Sequence, residues 1–116
     1  MEHYSKTKTL QLEIPELKDL SPHIQIGNGK VRSYVQAADV ALKSNTIIFI
    51  SATGLAINKA VSVTEIIKRN HKQLTAHIEI FEAPCVDVWE SKNGDLDPLE
   101  VTAHLPGIKV TLVSES

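Results

Sequence analysis

Residues 47–68 have the sequence IIFISATGLAINKAVSVTEIIK, which combines the patterns of a strand and a helix. The β-branched run predicts a strand that stops at Thr53-Gly54, after which apolar residues recur with helical spacing. These residues form two apolar faces: Ala56, Ala60, Val63 and Ile67 on one, and Ile57, Val61 and Ile66 on the other. Such a helix has more to bury than one sheet can cover, so the second face predicts a partner.

The glycine turn that precedes this helix is a candidate anion site. The first N–H groups of a helix have no partner within it, so at Gly54 they can hold an anion such as a phosphate. Lys59 adds a cation near the same helix end. A cation beside a helix end is also common without any function, and the residues alone leave that alternative open.

The rest of the chain predicts the element order β-α-β-α-β-β. Strands are expected at about residues 23–26, 46–52, 74–89 and 101–113, and helices at about 30–43 and 54–70, with a polar hairpin tip at 90–100. The first half favours parallel pairing, and the closing hairpin adds an antiparallel pair. Pro84 should lie on an edge or at a bulge because it lacks a ladder donor. Pro106-Gly107 should break the last strand.

Residues 1–22 are predicted to be an N-terminal extension outside the domain formed by residues 23–116. Their charges are mixed, their periodicity is weak, and Pro15 and Ser21-Pro22 interrupt any regular element. Leu10, Leu12 and Ile14 do alternate, so a short strand within this segment is compatible with the pattern.

Composition indicates one soluble domain of 116 residues with 42% hydrophobic residues. No apolar run approaches the roughly 20 residues that a membrane span needs, and the N-terminus lacks the apolar core of a signal peptide. The single cysteine, Cys85, cannot form an internal disulfide, which favours a reducing compartment, the cytosol or the nucleus.

Charge is distributed unevenly along the chain. Residues 23–72 contain seven Lys and Arg against two Asp and Glu, whereas residues 73–116 contain two against eight. A basic half beside an acidic half allows a localised anion-binding face, although two solvated surfaces of opposite sign explain it equally well.

Motifs for cofactors, metals and nucleophilic catalysis are not found. Gly27-Asn28-Gly29-Lys30 lacks the spacing of a nucleotide-binding loop, and His71, His77 and Cys85 lack the spacing of a zinc site. Tyr34 lies on the apolar face of its helix and is interpreted as core, while Trp89 is equally compatible with stacking on a base.

Several motifs, taken in order, resemble the Alba superfamily. They are IGNGKVRSYV at 26–35, GLAINKAV at 54–61 and TEIIKR at 64–69. The segments DVWE at 87–90 and LDPLEVTAH at 96–104 resemble its eukaryotic branch, which includes the Alba-type subunits of ribonuclease P and ribonuclease MRP. The resemblance covers about residues 23–113.

The resemblance implies an α+β fold, a two-layer β-α-β-α-β-β sandwich with a four-stranded mixed sheet and two helices. It implies a homodimer, or a heterodimer with another Alba-type subunit, whose interface contains the second helix and the last two strands. Interface candidates on that helix are Ile57, Val61 and Ile66. The implied function is non-enzymatic binding of RNA, or of DNA, by a ribonucleoprotein component active in RNA processing in the nucleus or cytoplasm.

In this family the loops before the two helices and the hairpin between the last strands form the nucleic-acid surface. The corresponding candidates are Lys30, Arg32, Gly54 and Lys59. This chain has Thr53-Gly54-Leu55 where relatives usually have Arg-Gly-Arg, and Ala103 where the branch has an arginine. Each missing arginine removes a phosphate contact, so weaker binding is expected.

Two other functions are compatible with the sequence. The chain could be an interaction subunit with little RNA affinity, paired with a second Alba-type protein that supplies the arginines. It could instead be a chromatin protein that binds double-stranded DNA, although that requires a more basic surface than a net charge of −2 provides. Lys30 and Arg32 are also compatible with an exposed, solvated helix turn.

Overall fold

A computed structural model describes residues 4–92, 94 and 97–114, and the structural statements below concern these residues. The elements are β1 (Tyr4–Gln11), β2 (His23–Gln25), α1 (Val31–Leu42), β3 (Ile47–Thr53), α2 (Ile57–Asn70), β4 (Leu74–Ser91) and β5 (Leu99–Ser114). Short 3-10 turns occupy Pro15–Leu17 and Gly54–Ala56. Neither helix has the length and apolar composition that a membrane span requires.

The strands form one mixed sheet in the order β1-β4-β5-β3-β2. Only β2 and β3 are parallel, and the other neighbours are antiparallel. This agrees with the predicted parallel half and closing hairpin. The predicted short first strand, the helices and the apolar central strand β3 all form.

The main core lies between one sheet face and the two helices. Ile48 and Ile50 of β3 and Leu112 of β5 are fully buried there, and burial of each such side chain stabilises the fold by about 1.5–3 kcal/mol. From the helices, the core receives Ala38, Ala60, Val63 and Ile67. The last three belong to the first of the two apolar faces predicted for α2, so that face is the one that packs on the sheet.

The sheet has five strands, which corrects the prediction of four. The additional strand is β1, which pairs antiparallel with the outer half of β4 from Gln11 opposite Cys85 to Tyr4 opposite Ser91. A bulge between Lys6 and Lys8 interrupts this pairing. Without β1, the outer half of β4 would expose a row of unpaired N–H and C=O groups.

The connection from β1 to β2 covers the sheet face opposite the helices. Ile14 is buried against Phe81 and Ala83, and Leu17 and Leu105 pack around them. The backbone N–H of Phe49 donates to the carbonyl of Pro22 at 3.0 Å. Residues 4–22 therefore give the sheet both an edge strand and a partial second cover.

The two longest strands extend well beyond the helices. β4 has 18 residues and β5 has 16, and they remain paired from Leu74 opposite Ser114 to Trp89 opposite Leu99. The molecule measures 62 × 25 × 18 Å, with a radius of gyration of 17.6 Å. A compact chain of this length would have about 13 Å. We call residues 85–91 and 99–104 the distal arm.

The distal arm extends into the predicted hairpin tip. Because β4 continues to Ser91 and β5 begins at Leu99, part of the segment predicted as a tip at 90–100 belongs to the strands. Asn93, Asp95 and Leu96 of that segment lie outside the described residues.

Pro84 and Pro106 lie where the pairing of β1 with β4 and of β3 with β5 ends. The predicted break at Pro106-Gly107 is wrong, because β5 continues through it and Pro106 lies opposite Glu82. Pro106 is one residue beyond the last pair between β3 and β5, and Pro84 is one residue beyond the last pair between β1 and β4. Pro84 thus lies in an inner strand and not on an edge strand or at the bulge, and its position just beyond the β1 pairing means that its missing N–H costs no hydrogen bond of that ladder.

Candidate nucleic-acid interface

A cleft of about 970 Å³ opens between the helical body and the distal arm. Two of its walls are the segment 25–28 before α1 and the segment 53–56 before α2. The opposite wall contains Lys6, Thr9, Cys85, Asp87 and residues 103–106. The fold thus brings together the two loops that the sequence singled out and the strands of the arm.

Tyr34 organises the loop before α1. Its hydroxyl oxygen accepts hydrogen bonds from the backbone N–H groups of Gly27, at 2.9 Å, and Gly29, at 2.8 Å. A Cβ atom added to Gly29 would lie 2.8 Å from that hydroxyl, which only a displaced loop or ring could accommodate. The ring packs against the core, so the interpretation of Tyr34 as a core residue is confirmed.

Lys59 holds the same loop from the other side. Its ammonium group donates to the carbonyl oxygens of Gly27, at 3.1 Å, and Gly29, at 2.7 Å. An ammonium group has three donors, so these two bonds leave one for a ligand. Lys59 therefore positions the loop, and its predicted contact with phosphate stays a prediction.

Lys30 and Arg32 lie at the start of α1 with exposed side chains. Lys30 is the N-cap residue, and its side chain makes no capping hydrogen bond. Neither residue forms a salt bridge with any residue that the structure describes. Both cations are therefore available to solvent or to an anionic ligand.

Gly54 starts a 3-10 turn instead of the α-helix itself. α2 begins at Ile57, three residues later than predicted, because residues 54–56 form that tighter turn. The φ angle of Gly54 is +59°, a conformation that favours glycine over any residue with a Cβ atom. The side chain of Leu55 is fully exposed beside it.

The N-terminal strand contributes charge to the cleft. Lys6 Nζ lies 4.0 Å from Asp87 Oδ2, and the hydroxyl of Thr9 donates to Asp87 Oδ1 at 2.7 Å. The carboxylate of Asp87 thus has two partners from a segment that is distant in sequence. In the described part of the chain, no group of three His, Cys, Asp or Glu side chains is arranged to hold a metal ion.

Comparison with known proteins identifies the family. A sequence profile of the Alba family matches residues 22–80, which is just over half of the chain. The chain belongs to the Alba family.

Two curated relatives have the same name, ribonuclease P protein subunit p25-like protein. The protein from Bos taurus is 31% identical in an alignment of 122 positions that covers 97% of this chain and 74% of the relative. The protein from Homo sapiens is 31% identical over 121 aligned positions, with the same coverage. The resemblance to the eukaryotic Alba branch is thereby confirmed.

A solved structure supports the Alba-like fold. Alba from Thermoplasma volcanium superposes with a TM-score of 0.59 at 22% identity and covers 78% of this chain and 98% of its own. This confirms the α+β architecture with two helices and a curled mixed sheet. Because of β1, the sheet has five strands and not the predicted four.

The second apolar face of α2 lies beside an exposed part of the Alba sheet. Val61 is 48% exposed, and the neighbouring strand residues Ile78 and Ile80 are 58% and 80% exposed. Val61 and Ile78 line one small cavity together, so the apolar surface is continuous from helix to strand. Ile57 and Ile66 are half-buried. The assignment of Ile57, Val61 and Ile66 to a dimer interface stays a prediction.

Sequence reasoning missed Lys6 and Thr9 as members of the cleft. The alternation of lysine and threonine from Lys6 to Thr9 is compatible with an edge strand, and it is the signal that could have indicated them. The distance between these residues and Asp87 along the chain concealed their proximity.

Proposed function

We propose that this Alba-family chain is a non-enzymatic RNA-binding protein that acts as a dimer within a ribonucleoprotein, in the nucleus or the cytoplasm. The observation that carries the proposal is the convergence of both helix-preceding loops and the distal arm around one cleft. The unpaired cations Lys30 and Arg32 follow one of these loops directly. The p25-like relatives, which are named as ribonuclease P subunits, favour RNA as the ligand.

The arrangement supports contact with a phosphate backbone more than with a small acidic ligand. Lys30 and Arg32 are exposed at the start of α1, where they can contact the phosphates of a strand that runs beside the cleft. Each neutralised phosphate releases counterions, so the affinity should fall as the salt concentration rises. Lys59 and the N–H groups at Gly54 would assist from the second loop.

A charge-reversal experiment tests this assignment. The variant Lys30→Glu/Arg32→Glu should bind a structured RNA at least about tenfold more weakly and with a shallower dependence on salt. The matched control is Lys43→Glu/Lys72→Glu, which makes the same charge change at two exposed residues near the other ends of the helices. Equal losses in both variants would reject a localised site.

Dimerisation would use the apolar surface formed by Val61, Ile78 and Ile80. Exposed apolar surface that spans two elements is typical of an interface. Ile80→Glu should convert the dimer into a monomer in sedimentation experiments. Val40→Glu is the control, because Val40 is 64% exposed on α1 and lies outside this surface. A wild-type monomer at micromolar concentration would contradict a homodimer.

A second candidate function is that of an interaction subunit with little RNA affinity of its own. The observation that favours it is Leu55, a fully exposed apolar side chain at the loop where the family usually has an arginine. Mixing with a second Alba-type protein would then be required before RNA binds. Comparable affinity for duplex DNA and structured RNA would instead favour the chromatin function.

A further inference from the structure

We propose that the cleft between the helical body and the distal arm receives one unpaired base of the bound RNA. The chain would therefore select RNA that contains an unpaired nucleotide over a continuous duplex. This inference rests on the proposed RNA-binding function and adds the structural class of RNA that the site recognises.

The apolar lining of the cleft suits a base, and its volume leaves ample room for one. Its volume of about 970 Å³ is at the upper end of the range of roughly 300–1,000 Å³ found for small-molecule sites. Ala56, Ala103, Leu105 and Pro106 give it an apolar lining. A planar heterocycle gains from leaving water for such a surface, whereas a phosphate does not.

The charged side chains that line the cleft give its interior no net positive charge for a phosphate. Among its described lining residues, the side chains that are charged at neutral pH are Lys6 and Asp87, which lie 4.0 Å apart and offset each other. The unpaired cations Lys30 and Arg32 do not line the cleft. Lys30 lies only two residues after Asn28, which does line the cleft. Phosphates beside the cleft and a base inside it would therefore match the charge pattern.

Polar groups at the margin of the cleft can recognise the edge of a base. Gln25 and Asn28 contribute side-chain amides, each with both donors and an acceptor, and Thr53 contributes a hydroxyl. The bases of an A-form duplex are stacked and paired, and proteins reach their edges mainly in loops, bulges and strand ends. A continuous duplex could therefore contact Lys30 and Arg32 but would leave the cleft empty.

The test compares three RNAs at one fixed salt concentration. They are a perfectly paired hairpin, the same hairpin with one bulged nucleotide, and that bulged hairpin with an abasic residue at the bulge. Wild-type protein should bind the bulged hairpin about tenfold more tightly than the paired one, since burial of one base against the apolar lining accounts for a change of this size. The abasic residue keeps the phosphate, so its binding should return to the level of the paired hairpin.

Protein variants test the location of the base. Ala103→Ile places a larger apolar side chain on the wall of the cleft, where it should obstruct the base and reduce the preference for the bulge, while the affinity of this variant for the paired hairpin changes less than about twofold. Thr102→Ile is the matched control, because Thr102 is exposed on the same strand and does not line the cleft. It should retain the preference.

The outcomes separate this inference from the proposed function. Equal affinity for the paired, bulged and abasic RNAs would overturn the base-binding cleft and leave RNA binding intact. A bulge preference that survives Ala103→Ile with wild-type thermal stability would overturn the location. Absence of binding to every RNA, with and without a second Alba-type protein, would reject both proposals.

Discussion

The ammonium nitrogen of Lys59 lies 2.7 Å from the carbonyl oxygen of Gly29, a residue 30 positions earlier in the chain. This contact joins the first part of α2 to the loop before α1. A cation that the resemblance assigns to phosphate therefore already has protein partners in that loop.

Lys59→Met should separate the two roles of this lysine. If Lys59 mainly positions the loop, the amide of Gly29 should exchange faster with solvent, since the loop loses two carbonyl contacts. If it mainly contacts a phosphate, the salt slope of RNA binding should decrease by about 0.7–0.9 with unchanged exchange. We expect the faster exchange, measured by NMR, while Lys72→Met, which alters an exposed lysine after α2, should leave it unchanged.

Tyr34→Phe should destabilise the fold by about 1–3 kcal/mol, because two hydrogen bonds with a net worth of about 0.5–1.5 kcal/mol each are lost at once. Urea unfolding measures the loss. The matched control is Tyr4→Phe, whose hydroxyl donates one exposed hydrogen bond to the carbonyl of Asp97, and its effect should stay below about 0.5 kcal/mol. Equal effects of the two variants would contradict the role assigned to Tyr34.

Gly107→Ala should destabilise the protein by about 1–3 kcal/mol through overpacking. A Cβ atom at this position would lie 2.3 Å from the ring of Phe81, its cross-strand partner on β4. The clash depends on the ring, so the same substitution in a Phe81→Ala background should cost much less. A double-mutant cycle measured by chemical denaturation gives the coupling, and additive effects would show that the ring does not lie over Gly107.

His23 should make stability depend on pH. Burial lowers the pKa of its imidazole below the ordinary value of 6.5, while its Nε2 lies 2.6 Å from the hydroxyl oxygen of Ser51. The unfolded chain therefore binds a proton more readily than the folded one, and stability is full above about pH 6.5. It is lost as the pH falls from 6.5 through the lower folded-state pKa.

Substituting His23 provides the measurement. His23→Gln should flatten the curve of unfolding free energy against pH between pH 7.5 and 5 relative to the wild type, because the variant no longer takes up a proton at this position on unfolding. His77→Gln, at an exposed residue of β4, should keep the wild-type curve. A His23→Gln curve with the wild-type slope would show that another group is responsible.

The central elements of the fold were predictable because their apolar patterns match their packing. β3 is apolar on both faces and lies within the sheet, and the face of α2 formed by Ala60, Val63 and Ile67 is buried. β1 was not predictable in the same way. Residues 5–10 are all exposed, so this strand has no buried apolar face for a pattern to reveal. Its backbone ladder to β4 and the contacts of Lys6 and Thr9 with Asp87 hold it in place.

The candidate site was predictable only where single residues carry the signal. Lys30 and Arg32 follow a recognisable loop, and the structure leaves both unpaired among the described residues. The contact of Lys6 with Asp87 and the bonds of Tyr34 and Lys59 to the glycine loop depend on the folded geometry. No spacing of residue types encodes them.

Pro84 and Pro106 divide the long hairpin into two segments with different third strands, β3 on one side and β1 on the other. On the side of the helical body, the close packing of the Phe81 ring over Gly107 fixes the register between β4 and β5. Residues added equally to both strands at the far end would lengthen the hairpin without shifting that register, whereas an unequal addition would turn side chains to the wrong face. Evolution can therefore vary the reach of the arm, and with it the length of ligand it spans, without redesigning the helical body.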